Sequence, residues 1–219
     1  MTDPYYADDS VTLWHADLRD NTIWATVDVL VVDPPYGIGY QSKSRSTRSP
    51  RIQGDRSAQL RDTITTLWGP DRPAIVFGHW RTPAPAGERQ RLIWWKQALN
   101  GGRGDLAMPW GTSHEDIHVL GRNWPPASTR HGSVITTTAG MGGTHGVVNT
   151  SGHPTAKPVP LLERLIAACP PGTIADPCAG SGTTLIAARN LGRHAVGVEI
   201  DERWCELAAR RLAQGALAL

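Results

Sequence analysis

The sequence lacks the features that mark membrane-spanning, secreted and zinc-binding proteins. No apolar run approaches the roughly 18 residues of a membrane span, and residues 1–10 contain three aspartates but no basic residue, unlike a signal peptide. The three cysteines, Cys169, Cys178 and Cys205, are odd in number and show no Cys-x-x-Cys spacing. This pattern favours reduced thiols over a disulfide framework or a structural zinc site. We therefore expect a soluble, cytoplasmic protein without a metal.

The charges are unevenly distributed along the sequence, with one segment poor in basic residues and another poor in acidic ones. The net charge is only +2, yet residues 1–33 hold seven aspartates against one arginine. Residues 41–56 hold five basic side chains against one aspartate, namely Lys43, Arg45, Arg48, Arg51 and Arg56. Because this segment is rich in Ser, Arg and Gly without periodicity, it is predicted to be a loop. Residues 122–152, with several glycines and a Pro-Pro pair, are predicted to be a second long loop with at most one short strand at 133–137.

The length and the hydrophobic patterning predict one α/β domain. The 219 residues suffice for a single well-cored domain and are few for two, so residues 1–219 are expected to form one domain. Strands are predicted at 11–15, 29–32, 74–77, 91–96, 115–121, 172–175 and 194–198, and helices at 60–68, 159–166, 183–191 and 204–212. The alternation of strands and helices implies right-handed crossovers. We therefore expect a doubly wound, mostly parallel sheet covered on both faces.

The apolar strand Val29–Val32 runs directly into Asp33-Pro34-Pro35-Tyr36. The two prolines end the strand, because neither can donate a backbone hydrogen bond. Asp33 and Tyr36 are therefore presented at the carboxyl end of a strand, where open α/β sheets bind their ligands. On its own, this motif would favour an ordinary helix N-cap or turn carboxylate at Asp33.

A glycine-rich turn, Asp176-Pro-Cys-Ala-Gly-Ser-Gly-Thr-Thr184, separates a predicted strand from a helix, and Glu199 ends the next strand. Such a turn admits a ligand close to the backbone, and a carboxylate at the second strand can accept both ribose hydroxyls. A phosphate loop would need lysine where Thr183 stands. A dinucleotide site would need a third glycine near Leu185. A site for S-adenosylmethionine, which has no phosphate, fits better, since its amino group and ribose can both face acidic groups.

Several motifs together closely resemble the amino-methyltransferases that modify an exocyclic nitrogen of adenine or cytosine in DNA. They are Asp33–Tyr36, Asp176–Thr184, Val198–Asp201, His153–Pro158, Leu13–Asp17 and His114–Gly121. With the catalytic motif ahead of the cofactor motif, their order resembles the permuted β-group of that family. The resemblance implies a Rossmann-like class I methyltransferase fold with circularly permuted motifs, and S-adenosylmethionine as cofactor. The family often has phenylalanine where Cys178 stands and glutamine where Ala156 stands.

The resemblance also assigns roles to individual residues. The candidate catalytic residues are Asp33, Pro34, Pro35 and Tyr36. The candidate cofactor-binding residues are Asp17, His153, Thr155, Lys157, Asp176, Cys178, Ala179, Gly180, Ser181, Gly182, Thr183, Glu199 and Ile200. Among them, Asp17 is expected to reach the cofactor's adenine, Glu199 its ribose, and the segment around Lys157 its methionine end. The loops at 41–56 and 122–152 are both expected to contact DNA, and the basic residues Lys43, Arg45, Arg48, Arg51 and Arg56 of the first loop are the candidate contacts.

The implied reaction is methyl transfer to an amino nitrogen of a base flipped out of DNA, most readily N6 of adenine, in a restriction-modification context. The Asp33 carboxylate and the Pro34 carbonyl would accept hydrogen bonds from the amino group, while Tyr36 would stack on the base. N4 of cytosine, RNA as substrate, and a catalytically silent DNA-binding partner subunit are the alternatives. Because no separate recognition domain fits into the chain, a homodimer or an accessory specificity protein is a further expectation.

Overall fold

The computed structural model describes residues 3–37, 58–96, 107–126, 130–137 and 156–216. The loop predicted at 41–56 and its five basic residues lie outside these ranges. The same is true of His153 and Thr155, and of most of the loop predicted at 122–152.

Within the described ranges, nine strands form one sheet. In chain order they are β1 (Tyr6–Ala7), β2 (Val11–His15), β3 (Val29–Val32), β4 (Ala74–Gly78), β5 (Glu88–Trp95), β6 (His114–Leu120), β7 (Val134–Thr136), β8 (Ile174–Asp176) and β9 (Ala195–Glu199). Their spatial order is β1-β2-β9-β8-β3-β4-β6-β5-β7. The central strands β2, β9, β8, β3 and β4 are mutually parallel. Their carboxyl ends therefore meet at one edge, which we call the carboxyl edge.

The strands beyond β4 depart from this parallel pattern. β6 is antiparallel to both β4 and β5, while β7 is parallel to β5. Because β6 runs backwards, its first residues, His114 and Glu115, lie at the carboxyl edge with the last residues of β4 and β5.

Helices cover the two faces of the sheet. They are α1 (Gln59–Trp68), α2 (Val159–Ala167), α3 (Thr183–Asn190) and α4 (Glu202–Ala216), with a short 3-10 helix at Ile23–Thr26. Buried residues of α2, α3 and α4 pack with Val29 and Val31 of β3, whereas α1 and the 3-10 helix pack with Leu30 and Val32. Successive β3 residues thus face opposite layers, as expected of a strand buried on both sides.

This arrangement confirms the predicted α/β class with a mostly parallel, doubly covered sheet. The observed strands and helices fall within a few residues of the predicted ones. Two elements were not predicted from the sequence: β1, which is only two residues long, and the 3-10 helix, in which Trp24 donates a hydrogen bond to the Leu18 carbonyl at 2.9 Å. Within the described ranges, no helix is long and apolar enough to cross a membrane.

Candidate active site

The carboxyl edge collects most of the described candidate residues. Asp33 directly follows β3, and Asp176 ends the adjacent β8. Glu199 ends β9, opposite His15 of β2, and Asp17 comes two residues after that partner. The sheet topology thus brings together residues that are up to 182 positions apart in the sequence.

Asp33 lies in a cluster of hydrogen-bonded polar side chains. One carboxylate oxygen accepts a hydrogen bond from the Tyr36 hydroxyl at 2.7 Å, and the other accepts one from the Lys157 ammonium at 2.6 Å. The Lys157 ammonium also lies 3.1 Å from the Tyr36 hydroxyl. The family resemblance places Lys157 near the methionine end of the cofactor. In this structure its ammonium contacts the candidate catalytic carboxylate of Asp33.

Glu115 completes the cluster and was not among the candidate residues predicted from the sequence. Its carboxylate lies 3.1 Å from the Lys157 ammonium and 3.2 Å from the Tyr36 hydroxyl. Lys96, one residue beyond β5, pairs with its other oxygen. Two carboxylates and two ammonium groups therefore balance in charge, which reduces the cost of burying them together. We call Asp33, Tyr36, Lys96, Glu115 and Lys157 the catalytic cluster.

Burial and mutual contact shift the pKa values in the catalytic cluster. Burial raises the pKa of Asp33, aided by the Glu115 charge and opposed by Lys157. Burial acts in the same direction on Glu115, but Lys157 and Lys96 overcome it and lower the pKa of Glu115 to about 2. Burial likewise opposes the charged form of Lys157, yet the two carboxylates raise the pKa of Lys157. Burial raises the pKa of Tyr36 well above its ordinary value, so its hydroxyl remains a donor.

The glycine-rich loop between β8 and α3 is shaped by two backbone conformations that favour glycine. Gly180 has φ of 50° and Gly182 has φ of 76°. A side chain at Gly182 would also collide with α4, because its Cβ would lie 2.9 Å from the Ala208 Cβ. The Gly180 N–H donates a hydrogen bond to Glu199 at 2.8 Å, and the Asp201 N–H donates to the other Glu199 oxygen, also at 2.8 Å. Glu199 is therefore fixed in orientation while retaining lone pairs for a ligand.

Asp176 is a buried carboxylate with no cation beside it among the residues that the structure describes. It is 2% exposed, and the Cys178 N–H donates to it at 3.0 Å. Burial raises the pKa of Asp176 to about 7, despite hydrogen bonds from the Thr184 hydroxyl and the Cys178 N–H. In the described part of the chain, no ammonium or guanidinium group lies within ion-pair distance of it. A buried, oriented carboxylate of this kind fits a ligand that brings its own positive charge.

The other loop residues mainly hold the loop in place. The Ala179 N–H donates to the Val198 carbonyl at 3.0 Å, which ties the loop to β9. Arg211 of α4 donates to the Ser181 carbonyl at 2.5 Å and to the Thr183 hydroxyl at 3.2 Å. Cys178 is half-buried, and burial raises the pKa of its thiol well above its ordinary value. A neutral thiol is a packing group rather than a nucleophile.

Two candidate cofactor residues lie further along the carboxyl edge. Asp17 accepts hydrogen bonds from the Arg19 N–H at 2.9 Å and from the Arg19 Nε at 2.8 Å. These hydrogen bonds lower the pKa of Asp17. Ile200 follows Glu199 directly and is 46% exposed, so its side chain offers an apolar surface beside the glycine loop.

These geometric features point to an α/β fold in which an acidic, glycine-rich loop lies beside a buried polar cluster. The model of the N6/N4 methyltransferase family, described as DNA methylase, matches residues 46–210, which is most of the chain. The chain therefore belongs to this family, as the sequence motifs indicated. The matched range includes Glu115, the glycine-rich loop and Glu199, but it begins after Tyr36.

Individual relatives differ in how much of the chain they cover. The Type II methyltransferase M.ScaI of Streptomyces caespitosus is 45% identical over 74 residues, which is 33% of this chain and 24% of that protein. YubD of Escherichia coli (strain K12), which is named as a methylase, is 27% identical over 202 residues, or 85% of this chain and 82% of that protein. The chain thus spans only about a quarter of M.ScaI, but most of YubD.

Solved structures share the fold at low sequence identity. The crystal structure of an M1.HpyAVI-SAM complex has a TM-score of 0.64 at 19% identity and covers 92% of this chain and 99% of that chain. The PvuII DNA methyltransferase, described as cytosine-N4-specific, has a TM-score of 0.65 at 13% identity and covers 94% of this chain and 88% of that chain. The predicted Rossmann-like methyltransferase fold is therefore confirmed.

Proposed function

We propose that this protein transfers a methyl group from S-adenosylmethionine to an exocyclic amino nitrogen of a base in DNA. The observation that carries the proposal is the pairing of β3 with β8, in which Leu30 is the partner of Ala175. Since adjacent strands lie about 4.8 Å apart, this pairing brings Asp33, two residues past the position in line with Asp176, close to the end of β8. The Asp33 charge is accordingly one of the influences that raise the pKa of Asp176. The hydrogen-bond acceptor for the target and the carboxylate for the cofactor thus belong to one continuous site.

The glycine loop and its neighbours fit the cofactor in charge and in shape. Asp176 would accept hydrogen bonds from the methionine ammonium, and Glu199 would accept them from the ribose hydroxyls. Asp17 and Ile200 would border the adenine. Lys157 is proposed to lie near the methionine end of the cofactor, where its ammonium also contacts Asp33. When bound, S-adenosylmethionine supplies a methyl group already activated by its sulfonium.

Asp33, Pro34 and Tyr36 would act on the target base. An exocyclic amino nitrogen is a poor nucleophile because its lone pair is delocalised into the ring. Hydrogen bonds from that amino group to the Asp33 carboxylate and the Pro34 carbonyl favour a pyramidal nitrogen whose lone pair can attack. Pro34 and Pro35 restrict the backbone, so these acceptors are oriented before the base arrives. The Tyr36 hydroxyl now bonded to Asp33 would give way to the amino group, and its ring would stack on the base.

The substrate class follows from the family and from the charge of the sequence. The target nitrogen cannot be reached inside a duplex, so the base would be flipped at a cost of a few kcal/mol. Lys43, Arg45, Arg48, Arg51 and Arg56 are proposed to contact phosphates. A single domain, a homodimer or accessory specificity protein, and a role in restriction-modification stay predictions.

Adenine N6 is the proposed target atom. In the family that the motifs resemble, aspartate at the first motif position is commoner in adenine enzymes and serine in cytosine enzymes. Asp33 therefore favours adenine, although the PvuII enzyme, which has the same fold, is cytosine-N4-specific.

The test is to incubate DNA and RNA, each separately and then in competition, with labelled S-adenosylmethionine and to analyse the nucleosides. The proposal predicts N6-methyladenine from DNA. Recovery of N4-methylcytosine alone would reject the choice of adenine, and preferential labelling of RNA would reject the choice of DNA. No transfer to either would leave the silent partner subunit as the better description.

A further inference from the structure

A line of aromatic side chains leads from the catalytic cluster to solvent. The ring centroids of Tyr36 and His79 lie 6.1 Å apart, and those of His79 and Trp80 lie 5.5 Å apart, with the latter two rings stacked at 29°. Tyr36 and His79 are half-buried, whereas Trp80 is 52% exposed. We call Tyr36, His79 and Trp80 the aromatic path.

The central ring of the path is fixed and neutral. The Arg81 N–H donates a hydrogen bond to the His79 Nδ1 at 3.2 Å, so Nδ1 is an acceptor and the ring proton lies on Nε2. The Thr82 N–H and hydroxyl both donate to the His79 carbonyl, at 2.9 Å and 2.8 Å. Burial and the Arg81 charge lower the pKa of His79. The turn after β4 is thus held in one conformation with Trp80 pointing outward.

The outer end of the path combines an aromatic surface with a positive charge. The Arg81 guanidinium lies over the Trp80 ring, 4.9 Å from its centroid. An exposed cation–π contact is weaker than the stacking of a base on an aromatic ring. A base could therefore take the place of the guanidinium on the ring, and the released guanidinium would be free to pair with a phosphate.

We propose that Trp80 stacks on a base of the DNA next to the target nucleotide, and that Arg81 contacts a phosphate of the same segment. The proposal rests on the proposed function and extends it to the path that the DNA takes outside the site. Flipping one base leaves its neighbour without a stacking partner. A tryptophan at the mouth of the site replaces part of that lost stacking, and does so for any base sequence, because every base has a π-face.

The first test measures binding to a short fluorescein-labelled duplex with one bulged adenine, and to the fully paired duplex of the same sequence. Trp80→Ala should weaken binding to the bulged duplex about 5- to 100-fold, while Trp80→Phe should retain most of the affinity. Leu67→Ala on α1, which removes an apolar side chain of comparable exposure at 44%, should leave binding unchanged. Binding of S-adenosylmethionine and the melting temperature should be unchanged in all three variants.

The second test separates the charge from the ring. Arg81→Ala should reduce the slope of the logarithm of affinity against the logarithm of salt concentration by about one. Arg210→Ala is the matched control, since the Arg210 side chain is 69% exposed and lies on α4, where it pairs with Glu206. The control should keep the wild-type slope.

Two outcomes separate this proposal from the function on which it rests. If the wild-type protein methylates DNA and Trp80→Ala binds the bulged duplex as tightly as wild type, the stacking proposal is wrong and the proposed function stands. If the wild-type protein neither binds nor methylates DNA, the proposed function fails, and the stacking proposal fails with it.

Discussion

At the scale of single residues, Lys157 is the side chain on which the catalytic cluster depends. It is 7% exposed, and it contacts both Asp33 and Glu115, which would otherwise repel each other. A buried ion pair adds little to stability relative to an apolar pair, but removing one partner is costly because the remaining charge is left uncompensated. Lys157 therefore stabilises the site and opposes the rise that burial causes in the pKa of Asp33.

Lys157→Met is expected to lower the free energy of unfolding by about 3 to 5 kcal/mol. It should also raise the pKa of Asp33 further, because the ammonium is the main influence that lowers this pKa. Since Asp33 must be ionised to accept a hydrogen bond from the amino group, the acidic limb of the rate profile should move to higher pH. The measurements are chemical denaturation and the pH dependence of methyl transfer.

Lys96→Met is the matched control, because Lys96 is 28% exposed and pairs with Glu115 but not with Asp33. It should move the acidic limb less than Lys157→Met does. An acidic limb that stays at the wild-type pH in Lys157→Met would show that Lys157 does not control the ionisation of Asp33.

Asp33, Asp176 and Glu199 could be proposed from the sequence because each lies at the end of a recognisable strand, and Tyr36 because it ends the motif that follows the first of these strands. Glu115 was missed, although the strand that contains it was predicted. The reason is physical: only the antiparallel direction of β6 brings its first residues to the carboxyl edge, and this direction is decided by long-range pairing with β4. Hydrophobic periodicity identifies a strand but not its direction.

At the scale of secondary-structure elements, the junction between β8 and α3 depends on Gly182. Two separate constraints act on it: a φ of 76° and the closeness of α4, whose Ala208 Cβ would lie 2.9 Å from an added Cβ. Gly192 offers a comparison within the same chain, because it has a φ of 69° but nothing within 4 Å of an added Cβ. The two glycines separate backbone strain from steric overlap.

Gly192→Ala should cost about 1 to 2 kcal/mol of stability from backbone strain alone. Gly182→Ala should cost about 1 to 3 kcal/mol more, because α4 must also move, and it should weaken binding of S-adenosylmethionine. Adding Ala208→Gly to Gly182→Ala should recover the steric part but not the strain. Thermal denaturation and calorimetric titration of the cofactor measure these effects. Equal costs for the two single substitutions would contradict the role assigned to α4.

The strands and helices were largely predictable from the sequence. The two exceptions, β1 and the 3-10 helix, each depend on one specific contact. β1 is too short to show a periodic pattern and exists because it pairs with β2. The 3-10 helix owes its place to Trp24, which is fully buried and stacks on Trp68 of α1 at a centroid distance of 6.4 Å. The 3-10 helix thus depends on a contact between segments that are distant in sequence, whereas β1 depends on the strand that directly follows it.

At the scale of the whole molecule, opposite pKa shifts limit stability from both sides of the pH scale. The pKa of Glu115 is lowered to about 2, so its contribution is present above its unfolded value of 4.5 and is lost as pH falls toward 2. The pKa of Asp176 is raised to about 7, so its contribution is present below 3.8 and is lost as pH rises through 7. Without cofactor, these two groups together favour the folded state most strongly near about pH 4, where the two windows meet.

Asp176→Asn should remove the loss of stability between about pH 4 and pH 7, which amounts to about 4 kcal/mol in the wild-type protein. It should at the same time weaken cofactor binding, because the amide has no charge to pair with the methionine ammonium. Denaturation curves at several pH values measure the first effect and calorimetry the second. A wild-type stability that does not change between pH 4 and pH 7 would contradict the burial of an uncompensated Asp176.

Asp33 and Asp176 are proposed to serve two halves of one site, the target-base half and the cofactor half. The substitution Asp33→Ala should separate the two. The measurement compares binding of S-adenosylmethionine with the rate of methyl transfer to DNA in the wild-type protein and the variant. Lys157 retains Glu115 as a partner in the variant, so the fold should persist. Asp33→Ala should bind the cofactor with an affinity close to wild type and should transfer methyl groups at a rate lowered by at least about 100-fold. Transfer at the wild-type rate would contradict the role proposed for Asp33.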